Sequence, residues 1–211
     1  MDCTERDKIS RLGVMGGTFD PIHYAHLVMA EEARSRFGLD KVLFIPAGQP
    51  PHKQDYRVSH AEHRYAMVLL STGSNPFFDV SRVEIERDGP SYSVDTIRCL
   101  RDSYGPDTEI YFIVGTDEAL DLPNWHEAES LSRMVRFVTV PRPGFDIAEL
   151  RTRLPASFYS KIEFLPMTPM DISSTEIRAR VKAGRSIRYL VTTEVEAYIC
   201  KHGLYFGDQT T

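Results

Sequence analysis

The sequence predicts an α/β fold in which helices cover both faces of a mostly parallel sheet. Short apolar runs rich in Val, Ile and Phe alternate with longer amphipathic stretches, which is the pattern of repeated βαβ units. The chain has 211 residues, of which 42% are hydrophobic and 26% charged, as in globular proteins. No linker or internal repeat divides it. We therefore expect one domain over residues 1–211, with residues 1–10 as a flexible N-terminal extension.

The strands of this sheet are predicted from the apolar runs. In chain order they are Leu12–Met15, Val42–Ile45, Phe78–Ile85, Ile110–Val114, Val135–Val140 and Ile162–Leu165. The helices are predicted from the amphipathic stretches. They are Tyr24–Phe37, Ala61–Leu70, Val94–Tyr104, Glu127–Met134, Ile147–Leu154, Ser174–Ala183 and Thr193–His202. The last two form a C-terminal helical segment, and the whole is a Rossmann-like arrangement.

A parallel sheet of this kind binds its ligands beyond the carboxyl ends of its strands. The loops that follow Met15, Ile45, Val114 and Val140 should therefore line one crevice. Chemistry-bearing residues are expected there.

Composition excludes several classes of protein. The formal net charge of −5 argues against a protein that wraps a nucleic-acid backbone, because that surface needs excess Lys and Arg. Cys3, Cys99 and Cys200 are far apart and lack the spacing of a zinc or redox pair. The N-terminal stretch lacks the apolar core of a secretory signal, and no window is long enough to span a bilayer. We expect a cytoplasmic protein without a membrane partner.

A glycine turn and two histidines follow the first predicted strand, in the segment Gly16-Gly17-Thr18-Phe19-Asp20-Pro21-Ile22-His23-Tyr24-Ala25-His26. Glycine lets backbone N–H groups approach a phosphate, and a helix start favours anions. His23 and His26 share one helical face and could donate to phosphate oxygens during transfer. The alternative is a tight turn with two half-buried histidines. Neither the G-x-G-x-x-G nor the P-loop pattern is present.

These residues resemble the nucleotidyltransferases with the His-x-Gly-His type of motif, and among them the bacterial nicotinate mononucleotide adenylyltransferases. The resemblance extends from about Gly13 to Tyr205. Further segments of the family occur in the expected order. They are Pro50-Pro51-His52-Lys53, Gly89-Pro90-Ser91-Tyr92-Ser93, Gly115-Thr116-Asp117, Trp125, Pro141-Arg142-Pro143-Gly144, Ile172-Ser173-Ser174-Thr175-Glu176-Ile177-Arg178 and Gly203-Leu204-Tyr205.

The resemblance implies transfer of the adenylyl group of ATP to nicotinate mononucleotide, with Mg²⁺ entering on ATP. His23, His26 and Arg178 would stabilise charge, and no residue is assigned as a metal ligand. Three alternatives stay open: nicotinamide mononucleotide or phosphopantetheine as the acceptor, or a non-catalytic nucleotide-binding regulator. The sequence also leaves open whether the chain is a monomer or a homo-oligomer.

The ATP site implied by the resemblance draws on four segments. Its residues are Gly16, Gly17, Thr18, Phe19, His26, Gly115, Asp117, Arg142, Ser173, Ser174, Thr175 and Arg178. Asp117 would accept from ribose hydroxyls, or else cap the next helix. Ser173 and Glu176 also fit a capping box, which is compatible with phosphate binding at the same helix start.

The mononucleotide site implied by the resemblance consists of Gly17, His23, His52, Lys53, Ser93, Thr96 and Trp125. Trp125 would stack on the pyridine ring, while Ser93 and Thr96 would bind its carboxylate through the start of a helix. The plain alternatives are an exposed basic loop, a core tryptophan and a serine helix cap. Ala25 departs from the family, which usually has glycine between the histidines, and Ser93 stands where threonine is commoner.

Overall fold

The computed structural model describes residues 9–50, 58–140, 147–168 and 170–207, except the side chains of 147–149. Its centre is a six-stranded sheet in the order β3-β2-β1-β4-β5-β6, with every pair parallel. The strands are β1 Arg11–Gly17, β2 Lys41–Pro46, β3 Phe78–Val80, β4 Glu109–Gly115, β5 Arg136–Val140 and β6 Ile162–Phe164. The predicted Rossmann-like α/β fold is confirmed.

Helices pack on both faces of this sheet. They are α1 Tyr24–Phe37, α2 Ala61–Thr72, α3 Ser93–Tyr104, α4 Thr116–Asp121, α5 Ala128–Met134, α6 Ile147–Arg153, α7 Ala156–Tyr159, α8 Ser174–Lys182 and α9 Thr193–His202. A 3-10 turn, Leu122–Asn124, joins α4 to the segment before α5. None of the helices among these ranges is both long and apolar enough to cross a membrane.

Two apolar layers form because successive strand residues point to opposite faces. On β1, Met15 contributes to the layer that contains α1, α2, α8 and α9. Leu12 and Val14 contribute to the other layer, which contains α3 to α7. The central strands are buried on both faces, and for this reason their sequences are continuous apolar runs.

The chain order of the strands reverses between β1 and β4. β1 pairs with β2 on one side and β4 on the other, with Val14 opposite both Leu43 and Phe112. The helices that follow β1 and β4 therefore diverge to opposite faces. This leaves a crevice at the carboxyl ends of the two strands, which is where such sheets bind ligands.

The predicted boundaries of α1 and α9 agree with the structure, but the third strand was predicted too long. β3 ends at Val80, where Ser81 still donates to the carbonyl of Phe44 before the chain turns away from the sheet. Isolated apolar residues beyond Val80 pack in a turn rather than a strand. The short helices α4 and α7 were missed, since six and four residues are too few for a helical period to show.

Gly48, just after β2, is required by close packing. A Cβ at this position would meet the backbone carbonyl of Glu84 well inside van der Waals contact. We expect Gly48→Ala to lower the free energy of unfolding by about 1–3 kcal/mol, because backbone must shift. Chemical denaturation measures this. The control is Gly73→Ala, whose Cβ would lie 3.4 Å from its nearest neighbour and should be close to neutral. Equal stability of the two variants would contradict the explanation.

Candidate active site

One cavity of about 640 Å³ opens at the carboxyl ends of β1 and β4. Its lining brings together three segments that lie far apart in the sequence: the glycine turn after β1, the histidine pair of α1 and the start of α8. The predicted convergence of these elements on one space is confirmed. The cavity also reaches the start of α3 and the segment around Trp125.

The glycine turn packs against its own aromatic neighbour. β1 runs through Gly16 and Gly17, and Phe19 then takes a left-handed φ of 50°. A Cβ on Gly17 would lie 3.1 Å from the Phe19 ring. That ring is buried and meets His26 edge-on at 5.1 Å between centroids. The absence of a side chain at Gly17 therefore leaves room for the Phe19 ring, which packs against His26.

The two histidines form a stacked pair at the start of α1. Their ring centroids are 3.8 Å apart, and both rings line the cavity. His23 is the N-cap residue, and its backbone N–H donates to Nδ1 of His26 at 3.2 Å. Because Nδ1 of His26 accepts, the neutral ring carries its proton on Nε2. His26 is therefore held as a donor through Nε2.

His23 is buried, with 6% of its surface exposed. Burial lowers the pKa of the ring from 6.5 to about 4, so the ring is neutral near pH 7. Among the described residues its buried Nδ1 has no hydrogen-bond partner. An unsatisfied buried polar atom costs about 1–3 kcal/mol, so a ligand that bonds to this ring gains from doing so.

The lowered pKa of His23 predicts that the free energy of unfolding decreases at acid pH, which gives an acid limb in its pH dependence. Since the folded pKa is depressed, the unfolded chain takes up the proton first. The contribution of His23 to the free energy of unfolding is complete above pH 6.5. It decreases as the pH falls below 6.5 and is lost once the pH has dropped through about 4. The full loss is about 3 kcal/mol. His23→Gln should flatten this limb in urea titrations, and a slope equal to that of the wild type would contradict the assignment.

The start of α8 is fastened to the loop before α1. Ser173 is the N-cap residue, and its hydroxyl accepts from the N–H of Glu176 at 3.2 Å. Ser174 donates its hydroxyl to the carbonyl of Pro21 at 2.8 Å. The predicted capping box is only half formed, because the Glu176 carboxylate accepts from Arg180 instead of reaching back. Ser173, Ser174 and Thr175 all line the cavity.

Arg178 lies one turn further along α8 and is not among the lining residues. Its guanidinium donates to the carbonyl of Asp20 at 2.8 Å and to the Thr175 hydroxyl at 3.2 Å. The structure thus places Arg178 behind the turn that carries the histidines. Its catalytic role stays a prediction.

Gly115 and Asp117 line the cavity from the β4 side. Gly115 is the N-cap residue of α4, so Asp117 lies in its first turn and the alternative of Asp117 as the cap is wrong. Arg142, the remaining residue predicted for ATP, lies outside the described residues.

The predicted pyridine pocket is partly assembled. Trp125 and Ser93 line the cavity, and the half-buried Trp125 ring is nearly perpendicular to that of Phe112, with centroids 6.0 Å apart. Tyr92, rather than Ser93, is the N-cap residue of α3, so the alternative of Ser93 as the cap is wrong by one position. Tyr92 stacks on His126 with ring centroids 4.1 Å apart, and both also line the cavity. This stack was not predicted from the sequence, although its members are the neighbours of Ser93 and Trp125.

Thr96 is not among the residues that line the cavity, although its partner Glu84 is. Its buried hydroxyl donates to Oε1 of Glu84 at 2.7 Å, and burial raises the pKa of that carboxyl group. The contact of Thr96 with a pyridine carboxylate stays a prediction. It is not favoured by the structure, because the hydroxyl already donates to Glu84. His52 and Lys53 lie outside the described residues.

Sequence and structure comparisons agree with this geometry. A cytidylyltransferase-like family model matches residues 14–180. The chain is 50% identical over 198 residues to a probable nicotinate-nucleotide adenylyltransferase of Moorella thermoacetica, covering 92% of this chain and 91% of the relative. It is 48% identical over 202 residues to a protein of the same description from Thermoanaerobacter sp., with coverage of 94% and 96%.

Among solved structures, the fold is similar to that of Plasmodium falciparum nicotinic acid mononucleotide adenylyltransferase complexed with NaAD. The TM-score is 0.76 with 20% identity, over 93% of this chain and 97% of that one. At this identity the likeness supports the fold alone. The curated relatives and the family model carry the assignment: the chain belongs to the cytidylyltransferase-like family and, within it, to the nicotinate-nucleotide adenylyltransferases.

Proposed function

We propose that this chain transfers the adenylyl group of ATP to nicotinate mononucleotide, producing nicotinate adenine dinucleotide and pyrophosphate, a step of pyridine nucleotide biosynthesis. The observation that carries the proposal is the convergence of the glycine turn, the His23–His26 pair and the start of α8 on one cavity. The family assignment and the names of the relatives give the substrates.

Three helix starts at the cavity offer hydrogen-bond donors to two phosphorylated substrates. Helices α1, α3 and α8 all begin at its wall, at His23, Tyr92 and Ser173. The N-terminal end of a helix carries a partial positive charge and N–H groups without intrahelical acceptors. A chain with a net charge of −5 thus provides a local anion site.

The chemistry needs positioning more than it needs a base. The phosphate of a mononucleotide has a second pKa of about 6, so near neutral pH it already carries a nucleophilic oxygen. That oxygen attacks the α-phosphorus of ATP, a new P–O bond forms, and the bond to the β-phosphate oxygen breaks to release pyrophosphate. Catalysis then consists of in-line alignment and stabilisation of the charge on the leaving group.

His23, His26 and the start of α8 would perform that stabilisation. His26 offers its Nε2 proton, and the N–H groups of α8 begin beside Ser174. His23 is neutral in the free protein and would gain proton affinity as a phosphate approaches its ring. Arg178 would act behind them, by holding the Asp20 carbonyl.

Mg²⁺ would enter as part of the ATP substrate and neutralise charge on the pyrophosphate. Within the described ranges, no group of three or more His, Cys, Asp or Glu side chains is placed to hold a metal ion. Five carboxylate side chains line the cavity, those of Asp20, Glu84, Asp117, Glu118 and Asp121. Such oxygens could complete the shell of an ion that the triphosphate already binds.

The acceptor would bind at the Trp125 end of the cavity. Trp125 offers a ring for stacking, and the start of α3 beside Ser93 offers N–H groups to a carboxylate. His52 and Lys53 would add charge toward the acceptor phosphate.

We place the reaction in the cytoplasm. Cys99 and Cys200 are free thiols, as expected in a reducing compartment, and the proposed substrate ATP fits the same location.

The test is a pyrophosphate-release assay with ATP and each of three acceptors: nicotinate mononucleotide, nicotinamide mononucleotide and phosphopantetheine. The proposal expects the highest kcat/KM with nicotinate mononucleotide. A higher value with either of the other acceptors would reassign the substrate. Release with none of them, by a folded protein that still binds ATP, would favour a non-catalytic nucleotide-binding regulator.

A further inference from the structure

Asp20, in the turn that leads to the histidines, accepts hydrogen bonds from three residues. It is 1% exposed, although it reaches the cavity wall. One carboxylate oxygen, Oδ1, accepts from the Tyr205 hydroxyl at 2.6 Å, and the other accepts from the N–H of Ser59 at 3.2 Å. Its backbone carbonyl accepts from Arg178. Residues from three distant parts of the chain therefore fix this one residue.

Tyr205 reaches Asp20 from the C-terminal end of the fold. It follows α9, which ends at His202, and it adopts a left-handed φ of 67°. Burial, and then the negative charge of Asp20, raise the pKa of the phenol. The hydroxyl is accordingly a permanent donor near neutral pH. The adjoining Gly203-Leu204 brings it there, since Gly203 ends α9 in the left-handed conformation that glycine favours.

Asp20 is separated by only one to three residues of backbone from groups that we propose contact phosphate. Pro21, the next residue, accepts from Ser174 at the start of α8. His23, three residues on, stacks on His26. A shift of Asp20 would therefore move both the histidine pair and the contact to α8. In transfer reactions that depend on alignment, a misplacement of about 1 Å can cost about a hundredfold in rate.

We propose that Tyr205 is a positioning residue for adenylyl transfer, and that its hydrogen bond to Asp20 holds the turn that sets the histidine pair against the start of α8. Tyr205 does not line the cavity, so it acts through Asp20 and touches no substrate. The proposal rests on the proposed function for its kinetic test. Its structural content, the placement of two histidine rings by a phenol hydroxyl, can be measured separately.

The test removes one oxygen atom, in Tyr205→Phe. We expect kcat at saturating ATP and mononucleotide to fall about tenfold, with both KM values changed less than about twofold. The matched control is Tyr198→Phe on α9, whose hydroxyl makes a 3.0 Å hydrogen bond to Nδ1 of His63 outside the cavity. It should leave kcat unchanged even if its Tm falls as far as that of Tyr205→Phe. An unchanged kcat in Tyr205→Phe would overturn the proposal, as would an equal loss in the control.

A second readout works whether or not transfer is observed. The ring signals of His23 and His26, followed by NMR in the full chain, should move in Tyr205→Phe and stay in place in Tyr198→Phe. If the wild-type chain transfers nothing while these signals move, the proposed function fails and the positioning role stands. If the chain is active and the signals do not move, Tyr205 has no positioning role.

Discussion

His23→Ala should lower kcat about a hundred- to a thousandfold while changing the KM for either substrate only a few-fold. His23 is the N-cap residue of α1 and stacks on His26, so its ring lies among the groups that we propose surround the phosphates. The charge on pyrophosphate grows as the bond to the α-phosphorus breaks, and a donor aimed at that charge contributes most in the transition state. Steady-state kinetics with each substrate varied in turn measures the split.

The control for this variant is His63→Ala, which removes a partly buried imidazole that is hydrogen-bonded to Tyr198 and lies outside the cavity. It should retain the wild-type kcat. If His23→Ala instead raised both KM values and kept kcat at saturation, the ring would be a binding group only, and its role in the transition state would be withdrawn.

Trp125→Ala should raise the KM for the mononucleotide about tenfold or more and leave the KM for ATP nearly unchanged. Stacking of a planar base on an aromatic side chain contributes about 1–3 kcal/mol. Trp125 is half-buried against Phe112 and lines the cavity, so its ring is held in place rather than free to rotate. The effect should fall on KM, because a stacked ring far from the reacting phosphorus binds the ground and transition states alike.

Trp125→Phe provides the comparison, since it keeps a smaller aromatic ring on the same contact. It should restore most of the affinity for the mononucleotide. An unchanged KM in Trp125→Ala would refute stacking, and Trp125 would then be a packing residue of the segment between α4 and α5.

The sheet and the main site could be predicted because their signals are local. Apolar runs mark the strands, and the segment from Gly16 to His26 carries a turn, a cap and two histidines within one stretch of chain. Parallel topology then determines that the loops after β1 and β4 meet. The start of α8 was predicted from the capping pattern of Ser173 and Glu176, whereas its place in the site was implied by the family resemblance.

What the sequence did not reveal depends on distant pairs. Tyr205 and Asp20 are separated by 185 positions, and only packing of α9 brings them together. Arg64, 1% exposed, donates to the backbone carbonyls of Thr18, Gly48 and Ser59. An arginine in an amphipathic helix reads as a solvated side chain, so its burial beneath the glycine turn could not be foreseen.

The orientation of individual side chains was equally inaccessible. Thr96 lies three residues after Ser93, close to the pocket in sequence, yet its hydroxyl is engaged by the buried Glu84 and Thr96 itself does not line the cavity. Arg178 likewise belongs to the predicted phosphate helix but bonds to the turn behind the cavity. In both cases a hydrogen bond inside the fold sets the direction of the side chain, because an unpaired buried polar group costs about 1–3 kcal/mol.

The most direct test of the account is a crystal structure of the chain with a non-hydrolysable ATP analogue and Mg²⁺. We expect the triphosphate to lie in the cavity at the ends of β1 and β4. Its oxygens should lie within about 3 Å of the glycine-turn N–H groups, the His26 imidazole and the start of α8 together. A triphosphate that contacts only one of these three elements, or that binds elsewhere on the molecule, would contradict the claim that they form a single phosphate site.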